Sequence, residues 1–254
     1  VVVQSNSSWI QEMMHMLARK ALPFHIGHQS LIYGSFQPLC RGLHWFPRKC
    51  DKHGTSSSSK GSPTIKDWRI KELRYEEMNA RQREVHQTIE AGSRGEVPAP
   101  LKVWLHSSGL ASKAQELGAF CRYGTHLSPR LSELAILVTG RHWNSKYEFA
   151  VHRREALRAG LSEEVVAALA VGDGGNGVPQ LPPPFTRADE AVVYEFATTL
   201  HQTKEVPDEL YARAVSLLGE TQVVDLVGVL GYYSLISMTC NVFRIPSHPY
   251  QDPW

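Results

Sequence analysis

The stretch from Leu127 to Gly160, LSPRLSELAILVTGRHWNSKYEFAVHRREALRAG, constrains this chain more than any other. Ser128-Pro129 is a helix-start signal: serine is a good N-cap and proline suits the first turn. Leu131, Leu134, Ala135, Leu137 and Val138 then recur at the spacing of one helix face. The same stretch gathers Glu133, Arg141, His142, Trp143, Tyr147, Glu148 and His152 within about five or six turns. A segment meant only for packing would not need so many ionisable and aromatic groups. We therefore expect it to be the core of the fold and the wall of a site together.

Composition sets the bounds. A chain of 254 residues, 42% hydrophobic and 20% charged, can hold one large domain or two small ones and bury a core of useful size. A formal charge of +2 argues against nucleic acid or an anionic membrane surface as partner. No apolar run is expected to approach the roughly 18 residues of a membrane span. The nearest, Val223 to Cys240, is interrupted by Asp225, Gly228, Gly231 and Ser234 and reads as a buried helix. Cys40, Cys50, Cys121 and Cys240 form no CxxC pair, so reduced structural thiols are expected.

Residues 1–64 differ from the rest. Arg19, Lys20, Arg41, Arg48, Lys49, Lys52 and Lys60 face only Glu12 and Asp51 as acids, and serine culminates in Ser56-Ser57-Ser58-Ser59. Such a basic, serine-rich extension of low order has the composition of an organelle presequence. Trp9 to Leu22 has the apolar spacing of a short amphipathic helix. Cys40, His44, Cys50 and His53 offer four ligand types, but C-x3-H-x5-C-x2-H matches no common zinc finger and reads as a loop. The expected location is cytoplasmic, or organellar if the extension is a presequence.

From residue 65 to 246 the chain reads as globular and helical, with 247–254 as a tail. Helices are expected over Tyr75 to Ala91, Ala111 to Tyr123 (Ala114, Leu117, Phe120 and Cys121 inward), Ser128 onward, and Tyr147 to Ala159 with Gly160 as its stop. Gly140 either ends the central helix or allows a close crossing. Ser162 caps a further helix, and Gly172 to Pro184 (GDGGNGVPQLPPP) is a hinge loop. Helices follow over Thr186 to Gln202, Pro207 to Leu218 and Glu220 to Cys240. Sustained period-two alternation is absent, so the fold class is all-α. A weak internal echo suggests a duplication: Ala114 to Leu131 and Val193 to Leu210 each read as a helix, a polar turn with proline and a helix start, and Glu133-Leu134 and the helix after it resemble Asp225-Leu226 and its successor. Leu235, Thr239 and Cys240 then stand where the first copy has Trp143, Tyr147 and Glu148.

Glu148 and His152 are i and i+4 on one helix, so their side chains can meet. A carboxylate beside an imidazole orients the ring and suits proton transfer near neutral pH; an exposed helix pair would have the same spacing. Glu133 and Arg141, two turns apart, could face one cavity, with His142 and Trp143 at its mouth. The residues converge poorly for a metal, since no HxxxH or HxH pair is present. No metal and no cofactor are expected.

The sequence LSELAILVTGRHWNSKYEFAVHRREALRAGLSEEVV resembles the carboxymuconolactone decarboxylase family, which shares its fold with alkylhydroperoxidase D. The likeness covers roughly residues 65–246 and implies an all-α fold assembled as a homotrimer or hexamer. The peroxidase branch of that family has Glu, then Cys twelve residues on, a second Cys at CxxC spacing and His four further. Laid on this chain, the motif's Glu matches Glu133 and its His matches His152, while the cysteine positions fall on Ser145 and Glu148. Thiol peroxide reduction by that mechanism is then not expected. The decarboxylase branch implies a cofactor-free lyase acting on a small carboxylated ring or lactone. His152 would be general acid/base, oriented by Glu148, with Glu133 a second acid/base or orienting group. Arg141 would hold the substrate anion, and Trp143, Tyr147 and His142 would shape the pocket. A peroxide-reducing enzyme and a non-catalytic helical oligomer or binder are the alternatives.

Overall fold

Most of the expected helices form where their signals lie, and one short helix, Ala99–Trp104, forms where none was expected. The structure is a computed structural model and describes residues 68–171, 182–247, 250, 253 and 254. By contacts the chain divides into units Val1–Lys60 and Gly61–Trp254. The basic extension, its amphipathic segment, the Cys40/His44/Cys50/His53 set and most of the Gly172 to Pro184 loop lie outside the described residues. Within the second unit the helices are α1 (Ala80–Ala91), α2 (Ala99–Trp104), α3 (Ser108–Tyr123), α4 (Pro129–His142), α5 (Lys146–Arg158), α6 (Glu163–Ala170), α7 (Ala188–Thr203), α8 (Asp208–Leu218) and α9 (Glu220–Phe243). Among the described residues there is no strand, and the fold is all-α.

Local chemistry explains the boundaries. Asn79 and Gln82 close a reciprocal cap at the start of α1, each side chain accepting from the other's backbone N–H at 2.9 Å. Ser128 Oγ accepts from the Leu131 N–H at 3.4 Å, and Ser162 Oγ from the Val165 N–H at 3.2 Å, so both predicted serine caps form. Tyr75–Glu77 is a separate 3-10 turn ahead of α1, not part of one long helix. Gly160, at φ +91°, follows the C-terminus of α5 as its spacing predicts.

α4 is the centre of the fold. It packs against α5, α6, α7 and α9, and every residue from Leu131 to Arg141 is buried. Its apolar face therefore meets core, and its polar residues Ser132, Glu133, Thr139 and Arg141 are drawn inside with it. The helix passes through Gly140 without ending there. A Cβ at Gly140 would stand 3.4 Å from the Phe149 nitrogen and 3.5 Å from Glu148 Cβ, so the glycine marks the close crossing of α4 and α5. At the other end of α4, Arg130 pairs with Asp189 at 2.8 Å and with Glu190, tying the helix to the first turn of α7.

Three further expectations need correction. Leu117 and Phe120 of α3 are exposed, at 50% and 46%, not buried. The inward stripe of α3 is Ala111, Ala114, Gln115, Gly118 and Cys121, because small side chains let the helix lie tight against α9, which turns the large ones outward. Next, the second half of the internal echo is one unbroken helix: α9 runs from Glu220 to Phe243, whereas Trp143, Asn144 and Ser145 separate α4 from α5. The α4–α5 pair therefore has no counterpart in α9, whereas α3 and α4, and α7 and α8, are each a helix, a turn with proline and a second helix. Last, α9 is long and apolar enough to cross a membrane by length and composition, with a mean hydropathy of 1.5. Leu226, Val229, Leu230, Tyr233 and Ile236 of this helix lie in the core, the packing of a buried helix.

Gly118 makes the α3–α9 contact testable. A Cβ there would collide with the Tyr232 ring and come within 2.8 Å of the Arg94 guanidinium, whereas one at exposed Gly109 meets nothing. Gly118→Ala should cost about 1–3 kcal/mol through overpacking. Gly109→Ala in the same helix should cost nothing and gain up to about 1 kcal/mol of helix propensity. Urea unfolding of the two variants checks the pair.

Candidate functional site

Three of the predicted residues meet in the core. Glu133 comes from α4, and Glu148 and His152 from α5; they are 8%, 4% and 3% exposed. His152 Nδ1–H donates to Glu133 Oε2 at 2.7 Å. On the other side of the ring, Nε2 lies 3.5 Å from Glu148 Oε2. The i, i+4 spacing thus does bring Glu148 to His152, but in a buried setting rather than an exposed one. The shorter of the two contacts to the ring is that from Glu133, on the neighbouring helix.

α9 adds two contacts to this group. Tyr233 packs edge-on against the His152 ring, with centroids 4.9 Å apart. The Cys240 thiol donates to Glu148 Oε1 at 3.9 Å, and Cys240 is 3% exposed. Glu133, His152, Glu148 and Cys240 therefore form one line of polar contacts across three helices. Ser145 is wholly buried beside the Cys240 sulfur, with its hydroxyl outside hydrogen-bond geometry. It holds the N-cap position of α5, yet its side chain does not cap the helix.

Electrostatics follows from this burial. Desolvation pushes the Glu148 carboxyl above its ordinary range, against the opposing pull of His152 and Arg122, so it holds its proton to higher pH than an exposed glutamate. Burial, reinforced by Glu148, likewise pushes the Cys240 and Tyr233 protons well above their usual ranges. Burial works against the charge on Arg122. Its neighbours Tyr233, Tyr123, Glu133 and Glu155 more than offset this and hold the guanidinium charged. Arg122 is thus the cation whose field reaches both carboxyls of the line.

The other predicted residues are placed differently. Tyr147 borders the line: burial raises its phenol, with Glu148 and Cys240 adding to the effect, and its ring meets Tyr250 edge-on at 6.4 Å. Arg141 stacks over the Trp254 ring at 4.4 Å and reaches Asn144 at 3.4 Å. Trp143 is pinned to α9, its indole N–H donating to Ser234 Oγ at 3.0 Å. His142 lies in a second polar cluster, stacked on His201 with centroids 4.6 Å apart and planes 11° from parallel. Cys240, Ser145, Tyr233 and Arg122 were not read as site residues from the sequence. The one hint was the echo, which set Cys240 against Glu148.

Among the described residues, no group of three or more His, Cys, Asp or Glu side chains is placed to hold a metal ion. No protein-family model matches the chain, and a search of curated proteins gives no match.

The imidazole stack carries a pH signature. The Thr139 hydroxyl donates to the Ala135 carbonyl at 2.8 Å, so at 3.0 Å it accepts from His201, whose Nε2 must carry the proton. Burial, with His142 and Lys204 adding to it, lowers the His201 pKa to about 4 from 6.5. A histidine whose folded pKa is depressed contributes stability above its unfolded pKa and loses it as pH falls toward the folded one. At about 1.4 kcal/mol per tenfold change in proton affinity, acidification from pH 6.5 to about 4 should remove on the order of 3 kcal/mol. Urea midpoints across this range should fall less steeply for His201→Gln than for the wild type.

Proposed function

We propose that this protein is a cofactor-free lyase that acts on a small carboxylated ring or lactone by acid–base catalysis. The observation that carries the reading is the buried Glu133–His152–Glu148 line, with the imidazole held between two carboxyl groups. Loss of carbon dioxide needs a group to hold the substrate anion, a way to spread the remaining electron pair, and a proton for carbon. Glu133 fixes the imidazole through Nδ1, which leaves Nε2 facing Glu148. Glu148, whose proton burial holds to higher pH, is the proton reserve: it gives that proton to Nε2 of His152, and the imidazolium gives one to the substrate carbon as carbon dioxide leaves. Arg122 takes the role first given to Arg141, because its charge acts on both carboxyls of the line. Tyr147 and Tyr233 form the wall.

A second reading, thiol-based peroxide reduction, has one observation in its favour: Cys240 brings a thiol beside Ser145 and Glu148, the positions that would carry cysteines in the resembled motif. Burial and the neighbouring Glu148 keep that thiol protonated, which favours the lyase. Assembly as a homotrimer or hexamer belongs to the same proposal. It is supported by the outer side of α9, where Val224, Val227, Gly228, Gly231, Met238 and Val242 are exposed and uncharged.

Two experiments test this. A panel of lactones and cyclic carboxylic acids should show carbon dioxide release by the wild type, and His152→Gln or Glu148→Gln should lower kcat/KM by roughly 100-fold or more while circular dichroism stays unchanged. Turnover that survives either change would overturn the assignment, and peroxide turnover lost in Cys240→Ala would favour the second reading. Light scattering should give a mass of several chains for the wild type and of one chain for Val227→Glu with Met238→Glu. A monomeric wild type would sink the assembly.

A further inference from the structure

The acid–base reading uses three members of the polar line and leaves the fourth without a role. Cys240 and Tyr233 are seven residues apart, two turns along one face of α9, and both are applied to α5. Tyr233 covers the His152 ring, and Cys240 reaches the carboxyl of Glu148. The two oxygens of that carboxyl have different partners. Oε2 faces His152 Nε2 at 3.5 Å, and Oε1 receives the Cys240 S–H at 3.9 Å. Ser145, itself fully buried, also lies beside the sulfur.

We propose that Cys240 is a positioning residue of the relay: its S–H engages Oε1 of Glu148 and so places the carboxyl proton on Oε2, the oxygen that faces His152. The proposal rests on the reading that Glu148 and His152 exchange a proton. A thiol suits this role because it is a weak donor. It biases which oxygen carries the proton without stabilising the carboxylate strongly. A hydroxyl in its place would donate a stronger hydrogen bond, favour the ionised carboxyl and empty the proton reserve. A methyl group would leave Oε1 bare, so that either oxygen could hold the proton.

The charged and titratable groups around Glu148 come from each helix that packs on it. They are Arg122 on α3, Glu133 on α4, Tyr147 and His152 on α5, and Tyr232, Tyr233 and Cys240 on α9. Only the last changes in the variants below, so a displaced Glu148 titration reports on the thiol contact.

The test uses the full chain labelled with carboxyl-13C glutamate, with the Glu148 signal assigned by its loss in Glu148→Gln. In Cys240→Ser the Glu148 midpoint should move to lower pH by about one unit, the effect of a stronger hydrogen bond to the charged form. In Cys240→Ala it should stay or move to higher pH. The wild type supplies a measurement that does not depend on either variant folding. Its Cys240 S–H stretching band should shift over the pH range in which Glu148 titrates, and that shift should vanish in Glu148→Gln. An S–H band indifferent to Glu148, or a Glu148 midpoint unmoved in a folded Cys240→Ser protein, overturns the proposal. None of these readouts requires turnover. A displaced midpoint with no lyase activity would defeat the lyase alone, and His152-dependent turnover with an unmoved midpoint would defeat the positioning role alone.

Discussion

The contact between His152 Nδ1–H and Glu133 is the constraint on which the rest of this structure depends. Removing a carboxylate and an imidazole from water costs several kcal/mol per charged group, and good geometry is what offsets it. That geometry requires α4 and α5 to cross closely enough for residues 19 apart in sequence to stand 2.7 Å apart. Gly140 lies at the crossing, in ordinary contact distance of Glu148 and Phe149, and Leu134, Leu137 and Phe149 are fully buried on the same two helices. The Arg130 pairs with Asp189 and Glu190 then hold the start of α4 against α7. A polar line in the core is affordable here because each of its members touches the next.

α9 has two jobs that pull its sequence in different directions. Its inner face closes the site with Tyr233 and Cys240 and meets α3 through the Gly118–Tyr232 contact. Its outer face exposes Val224, Val227, Met238 and Val242, so the helix as a whole is apolar enough to resemble a membrane span. Packing separates the two readings where composition does not: an apolar helix whose large side chains interlock with α4 is part of a core. A second polar group, the His142–His201 stack, sits apart from the line and makes acid stability a property of the α4–α7 contact.

Much of this was legible along the chain. Serine caps, a stop glycine and apolar periodicity act over one or two turns, so Ser128, Ser162 and Gly160 could be read without the fold. The Glu148–His152 pair was legible for the same reason, since i, i+4 neighbours meet on any helix. Leu117 and Phe120 were misread because periodicity finds an apolar stripe but not which stripe faces the core when a helix carries two. On α3 the small residues won, for they allow the closer approach to α9.

The sequence by itself determined an all-α fold, the central place of residues 127–160, and the meeting of one carboxyl with one imidazole. Those follow from backbone hydrogen bonding and side-chain spacing, which are local. Only the tertiary structure decided that Glu133 bonds to His152, that the charge of Arg122 acts on Glu148, and that Arg141, Trp143 and His142 touch Trp254, Ser234 and His201. It also brought Cys240 to Glu148 across 92 residues of sequence. The physical reason is that burial and helix crossing set both distance and dielectric. Neither is written in any single helix, so a line of proton-bearing groups exists only once three helices have packed.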